Sequence, residues 1–185
     1  SVFNLEAYIS QEFARRIGSL EEEAFLVGDG TGKPTGVFNS AKTGVTAASA
    51  EAITFDEIFD LFYSLKSAYR KNGIWICNDT TIKALRKIKD ANGQYLWQPS
   101  VSANTPDMLS NRPIKTSSYA PEIGTGKTPI IFGDFSYYWI ADRQGRSFKK
   151  LAEIYSETDE VGFKTTERVD GKLLLPEAVQ ALKMA

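Results

Sequence analysis

Leu5, Ile9, Phe13, Ile17, Leu20 and Ala24 step along the chain by four, four, four, three and four residues. That spacing paints one apolar stripe on a helix of about 3.6 residues per turn. It predicts a first helix of about 27 residues, a rod of about 40 Å at 1.5 Å per residue. So long a helix is unusual in a small domain, and later elements must pack along it. The rod runs into the glycine-rich turn GDGTGKPTG, residues 28–36.

A small, polar stretch follows at residues 39–51, read as a surface loop or a short ribbon. The second helix is marked by several agreeing signals. Thr54 with Glu57 three residues on forms a capping box, and Ile53 and Ile58 fit a hydrophobic staple around it. Ile58, Leu61, Phe62, Leu65 and Tyr69 then share one helical face, and Asn72-Gly73 is a stop signal, which predicts a helix over 55–71. Residues 74–77, Ile-Trp-Ile-Cys, are an apolar run between Gly73 and Asn78 and read as a buried strand. Asn78 is placed to cap a third helix over 79–89, with Ile82, Leu85 and Ile88 inward. Its Lys83, Arg86, Lys87 and Lys89 suit the negative end of a helix dipole and read as a solvated face rather than a phosphate patch.

Beyond a turn at residues 90–93 and the apolar Tyr95-Leu96-Trp97, residues 98–107 carry Pro99 and Pro106, lack periodicity and read as an exposed loop. Strand-like runs then dominate, at residues 113–116, 129–133, 137–140, 148–155 and 161–169. Asp170-Gly171 predicts a tight turn between two strands, with residues 173–175 and 178–182 finishing the chain. Helices first and mixed strands later give an α+β class.

Composition narrows the chemistry. At 185 residues the chain is long enough to bury a real core, and its net charge of −1 makes it no polycation. No run approaches the roughly 18 apolar residues of a membrane span. There is no histidine, which removes Ser-His-Asp and Cys-His catalysis and the commonest transition-metal ligand. With one cysteine as well, structural zinc is excluded, and Cys77 reads as a small buried hydrophobe. Residue 1 is Ser, so the chain is expected to be a processed product or a fragment.

Two stretches imitate the phosphate-binding pattern G-x-x-x-x-G-K-[ST]. In the first, Gly32-Lys33 is followed by Pro34, and Gly28 stands one residue too near. In the second, residues 124–128 (GTGKT) end correctly, but Pro121 holds the first-glycine position and a strand follows instead of a helix. Both read as surface turns. Glu21, Glu22 and Glu23 point about 100° apart on a helix and do not converge as a catalytic pair. Asp29 lacks the other acidic ligands of a calcium loop. Tyr137, Tyr138 and Trp139 alternate across a strand, so at least one side reads as core or subunit contact rather than a base-stacking platform. No residue is assigned a catalytic, cofactor-binding or metal-ligating role.

Several pieces in order resemble the major capsid proteins of tailed double-stranded-DNA bacteriophages, the Hong Kong 97-type fold. The end of the first helix and its turn match through Glu21 to Glu23, Gly28 to Gly32 and Gly36-Val37. Leu85, Lys89, Asp90, Gly93, Tyr95 and Pro99 match a helix-and-turn segment. Leu109, Pro113 and Ile114 match the next, although Asn111 stands where a glycine is usual. Phe132 to Phe135 and Ile140 to Arg143 match an aromatic segment, and Glu167, Arg168, Asp170, Gly171, Pro176, Ala178 and Leu182 match the closing strands. Together they cover nearly the whole chain.

The resemblance implies a capsid fold in three parts. Residues 1–36 would be the spine helix and glycine-rich turn of the peripheral domain, 37–155 mainly the axial domain, and 156–185 the closing strands of the peripheral domain. The N-terminal arm and extended loop that precede the spine helix in such proteins have no counterpart here. Some relatives cross-link subunits through a Lys–Asn bond; no residue here is matched to that chemistry. The implied function is a non-enzymatic, structural subunit of a phage or prophage icosahedral head. It self-assembles into pentamers and hexamers that enclose DNA without reading its sequence. Scaffold, protease and portal proteins are further candidate partners, and the 98–107 loop a candidate lining of the ring centre. The expected location is the virion, after assembly in the bacterial cytoplasm. These 185 residues alone are expected to close few or no shells. The alternatives are a nanocompartment shell of the same fold around a protein cargo, and, from another class, a nucleotide-binding enzyme using the GTGKT turn with Lys127.

Overall fold

The structure, a computed structural model, describes residues 4–97, 107–143 and 145–185. Helix α1, Leu5–Val27, opens on Asn4, whose Oδ1 accepts the Ala7 N–H at 3.2 Å. At 23 residues it is about 34 Å long. A single turn, α2 (Val37–Ser40), leads to strand β1 (Lys42–Thr46), so part of the stretch after the glycine-rich turn is an edge strand. Helix α3 (Phe55–Ser64) begins on the expected capping box: Glu57 N–H donates to Thr54 Oγ1, and Thr54 N–H donates to Glu57 Oε2.

The expected helix over 55–71 is two helices, α3 and α4 (Ser67–Arg70), divided where Leu65 and Lys66 turn extended. No proline or glycine explains the break. Ser64 Oγ donates to the Leu61 carbonyl at 2.7 Å, competing with the backbone ladder. Leu65 drops into the core, and the redirected chain lets Lys66 Nζ and Tyr69 Oη both donate to Glu177. Tertiary contacts override the local helical pattern. Strand β2 (Ile74–Cys77) and helix α5 (Asp79–Arg86, capped by Asn78) follow as expected, α5 stopping three residues early. The remaining strands are β3 (Met108–Leu109), β4 (Arg112–Thr116), β5 (Ile130–Gly133), β6 (Tyr138–Asp142), β7 (Ser147–Leu151), β8 (Gly162–Thr166), β9 (Val169–Leu173) and β10 (Val179–Lys183). The exposed loop expected over 98–107 lies, except for Asp107, outside the described residues.

Six strands form one mixed sheet in the order β1-β10-β5-β2-β4-β3. β5 runs antiparallel to both neighbours, with Phe132 opposite Trp75 on one side and opposite Gln180 on the other. Its residues are buried on both faces, so it reads as a continuous apolar run rather than an alternating one. On one face Ile130 and Phe132 join Trp75, Cys77, Leu61, Leu65 and Leu85 beneath α3 and α5. Trp75 stacks on Phe132 with ring centres 4.2 Å apart. On the other face Ile131, Val179 and Ala181 meet Val37, Phe38 and Leu173.

The other four strands form a second structure. β6 pairs with β9 and β7 with β8, all antiparallel, and Arg143 N–H donates to Arg168 O at 2.9 Å between the two pairs. The result is one long bent ribbon lying along α1. The tight turn expected at Asp170-Gly171 does not form: both residues lie inside β9, paired with Ala141 and Ile140. Glycine is required there for space, not for turning. A Cβ on Gly171 would stand 2.6 Å from Tyr138 Oη and 2.9 Å from the Phe25 ring.

Candidate interaction surfaces

The glycine-rich turn is where rod, ribbon and sheet meet. Asn39 Nδ2 donates to the carbonyls of Val27 and Gly28, each at 2.9 Å, which satisfies acceptors left open at the end of α1. Gly36 N–H donates to Gly28 O at 2.8 Å, closing the turn on itself. Thr35 N–H donates to Gly171 O at 2.9 Å, and Tyr138 Oη donates to Thr35 O at 3.0 Å, which fixes the ribbon to the turn. Burial, then the nearby Asp170 carboxylate, pushes the Tyr138 phenol up to about 12, so it stays a neutral donor.

Along the rod, several contacts hold the ribbon, among them Phe25 meeting Tyr138 edge-on at 6.2 Å. Arg146 donates to Glu21 of α1 and, from Nε at 2.6 Å, to Glu167 Oε1. Phe13 meets Phe148 edge-on at 6.0 Å, and Lys150 pairs with Glu6. Residues 146, 148 and 150 project from one face of the strand, so period two on the ribbon meets helical spacing on the rod. Beside this seam runs a groove of about 500 Å³, lined by Ile17, Leu20, Ala24, Val27, Val169 and Glu167. Burial, together with the charge of Glu167, holds the Glu21 carboxyl above its ordinary value, against the pull of Arg146.

No residue of α1 is buried, and Leu20 in its apolar stripe is 66% exposed. The ribbon is similar: Trp139 is 65% exposed, with Ile140, Phe148 and Leu174 also open. These surfaces belong to the same elements that, within this chain, have the least to pack against.

The triple glutamate splays as expected: Glu21 faces Arg146, while Glu22 accepts from Ser117 Oγ at 2.6 Å. Both phosphate-loop imitations spend their amides internally. In the GTGKT turn Gly126, at φ 69°, donates its N–H to Ala185 O, and Lys127 N–H donates to Gly124 O. In the first imitation Gly30 N–H donates to Pro34 O and Thr31 N–H to Asp29 Oδ1. These bonds turn the amides of Gly30, Thr31, Gly126 and Lys127 away from a phosphate. Burial pushes the Cys77 thiol up to about 12, so it is inert as a nucleophile. Tyr137 precedes the strand in a short 3-10 turn and meets Tyr69 edge-on at 5.5 Å, Tyr138 is tied down, and Trp139 alone is open, so the three form no stacking platform. The pairings of Arg146 with Glu21 and Glu167, and of Lys66 and Tyr69 with Glu177, are not legible in the sequence. The partners lie 108 to 125 residues away along the chain, or within the ribbon, and no local pattern announces them.

The sequence matches the phage capsid family over residues 1–184. Among solved structures, the capsid of an empty GTA particle, computed with C5 symmetry, is 31% identical with a TM-score of 0.89. The match covers 100% of this chain and 68% of that one. The capsid of the native GTA particle matches with the same identity and score, over 67% of its length. Microbacterium phage Oxtober96 matches at 16% identity and a TM-score of 0.75, over all of this chain and 67% of its own. The SrpI encapsulin of Synechococcus elongatus is similar in fold at 13% identity and a TM-score of 0.67, over 94% of this chain and 63% of that one. None of the curated proteins matches the sequence.

Proposed function

The chain belongs to the phage capsid family, and from that premise we propose that it builds a phage or prophage head by joining into pentamers and hexamers around packaged DNA. Membership itself makes it a structural, non-enzymatic shell subunit of Hong Kong 97-like fold, located in the virion capsid. It spans about two thirds of the length of the solved relatives, whose remaining third has no counterpart in these residues.

The observation that carries the finer reading is the division of labour in the molecule. A sheet with a two-sided core is joined to a rod and ribbon that bury little of their own apolar surface. A rigid wedge with open flanks is what a closed ring of heterologous contacts requires. The GTA particle capsid at 31% identity, a shell protein of the same fold, supports a shell-building role here. In this reading residues 1–36 and 156–185 serve mainly the periphery and 37–155 mainly the ring axis, although β10 returns to the six-stranded sheet and β6 and β7 lie in the ribbon along α1. DNA is enclosed without sequence reading, and scaffold, protease and portal proteins act during assembly in the host cytoplasm.

Electron microscopy of the protein expressed from its complete reading frame tests this. Closed shells, or five- and six-membered rings, are expected. A monodisperse monomer, also when co-expressed with neighbouring phage genes, would contradict it. The encapsulin likeness carries the fold alone, so cargo separates the second reading: packaged DNA is expected, and a single enclosed enzyme would favour a nanocompartment.

A further inference from the structure

The six-stranded sheet carries one helix at each end of the same face, and the two helices are opposite in charge. α3 packs over β1 and β10 at one end. α5 lies beside β4 at the other, with Ile82, Lys83 and Lys87 next to Ile114. Five strand spacings separate the two edges, about 24 Å.

The outer face of α3 shows Asp56, Phe59, Asp60 and Tyr63 at helical spacing, all exposed, Tyr63 at 68%. The outer face of α5 and the turn after it show Lys83, Lys87 and Lys89, with Tyr95, Leu96 and Met108 open beside them. Among the described residues, Asp56, Asp60, Lys83 and Lys87 have no ion-pair partner. Between α5 and β4 lies a groove of about 630 Å³, where Arg86 is already paired with Asp107 and the lysines are not. One flank is therefore a mainly acidic helix with an aromatic ridge, where Arg70 lies over the Tyr63 ring, and the opposite flank a net-basic groove, where Asp79 and Asp107 stand among Lys83, Arg86 and Lys87, with an apolar rim.

We propose that these two flanks are the two halves of one interface, in which α3 of one subunit seats against the α5–β4 groove of a second copy. This rests on the shell-subunit reading above and names the surfaces that join neighbours. Different patches at opposite ends of one sheet make a head-to-tail contact, which closes into a ring when the rotation fits. Opposite charges set register and disfavour like-to-like pairing, since like charges across an interface cost several kcal/mol. Phe59 and Tyr63 supply the aromatic anchors such contacts use.

Charge reversal in the protein from the complete reading frame tests it, with assembly followed by sedimentation and electron microscopy. Asp56→Lys with Asp60→Lys, and separately Lys83→Glu with Lys87→Glu, are each expected to cut particle yield about tenfold. All four substitutions on one chain should restore most of it, which also shows that the altered surfaces fold. A neutral, small-residue arm uses Asp60→Cys with Lys87→Cys: oxidation should give covalent ladders of subunits, because the native thiol, Cys77, is buried. Reversal variants that assemble like the parent, or a fourfold variant as defective as its components and without a cysteine ladder, would overturn the proposal. So would a lysine-reversal variant that assembles normally and only retains less DNA, because α5 would then face the cargo. An unaltered protein that never assembles removes the shell reading together with this interface. One that assembles while the variants do so equally well removes the interface alone.

Discussion

The six-stranded sheet and the rod-and-ribbon layer both carry apolar residues and use them in different ways. In the sheet, β5 is buried along its whole length, and Trp75, Phe132, Leu61 and Leu85 are fully enclosed. In the rod the apolar stripe is half-covered, and the ribbon is held to it by two edge-on aromatic contacts, two ion pairs and the hydrogen bonds of the glycine-rich turn. Exposed ion pairs contribute little, about 0–1 kcal/mol each. A two-stranded ribbon is marginal without further packing. The contrast separates a part whose apolar core closes within one chain from a part whose apolar surface stays open: the sheet core supplies stability, and the rod and ribbon leave apolar side chains uncovered.

Substitutions sharpen this contrast in a definite order. Trp75→Ala empties the centre of the sheet core and is expected to cost about 3–5 kcal/mol in urea unfolding, enough to unfold many small domains. Phe148→Ala in the ribbon is expected to cost about 1 kcal/mol, with much the same global unfolding midpoint. Equal losses at the two sites would dissolve the distinction.

Gly171→Ala drives a methyl group into Tyr138 and Phe25 and pries β9 from α1. The expected cost is about 1–3 kcal/mol, confined to the ribbon and read as faster proteolysis near residues 143–168 while the sheet stays protected. Arg146→Met leaves Glu21 and Glu167 facing each other without their shared cation. Because the guanidinium is half-exposed, the expected effect is small and again local, visible in ribbon amide exchange and not in global unfolding.

The last effect is acid-dependent and bears on the sheet side. The hydrogen bond from Lys66, then that from Tyr69, holds the Glu177 carboxyl below its ordinary value of 4.5. A lowered folded value means that the contribution is present above 4.5 and is lost as pH falls through the folded value. Glu177→Gln should therefore flatten the decline of the urea midpoint between about pH 5 and about pH 3. An unchanged slope would show that the cluster does not hold α4 to the chain before β10.

Much of the layout is legible in the sequence because it is local. The capping box at Thr54 and Glu57, the Asn78 cap and the apolar run of β5 depend on neighbours within a few residues, and all three form. What is not legible depends on distant partners. The break at Leu65 and Lys66 answers to Glu177, more than a hundred residues on. Asp170-Gly171 carries turn chemistry, yet the glycine is there so that Phe25 and Tyr138 can approach β9. The stripe on α1 marks one face of the helix, but a stripe does not say whether its partner lies in the same chain. These surfaces are therefore half-visible in the sequence: the stripe is local, and only the fold brings Arg146, Glu21 and Glu167 together.

Hydrogen exchange read by mass spectrometry, on free subunits and on assembled particles, tests the central contrast most directly. The amides of β2, β5 and β10 should be slow in both. Those of α1 and of the ribbon from β6 to β9 should be fast in the free subunit and become protected only in the particle. Slow exchange of α1 and the ribbon in the free subunit, equal to that of the sheet, would contradict the claim that neighbours complete them.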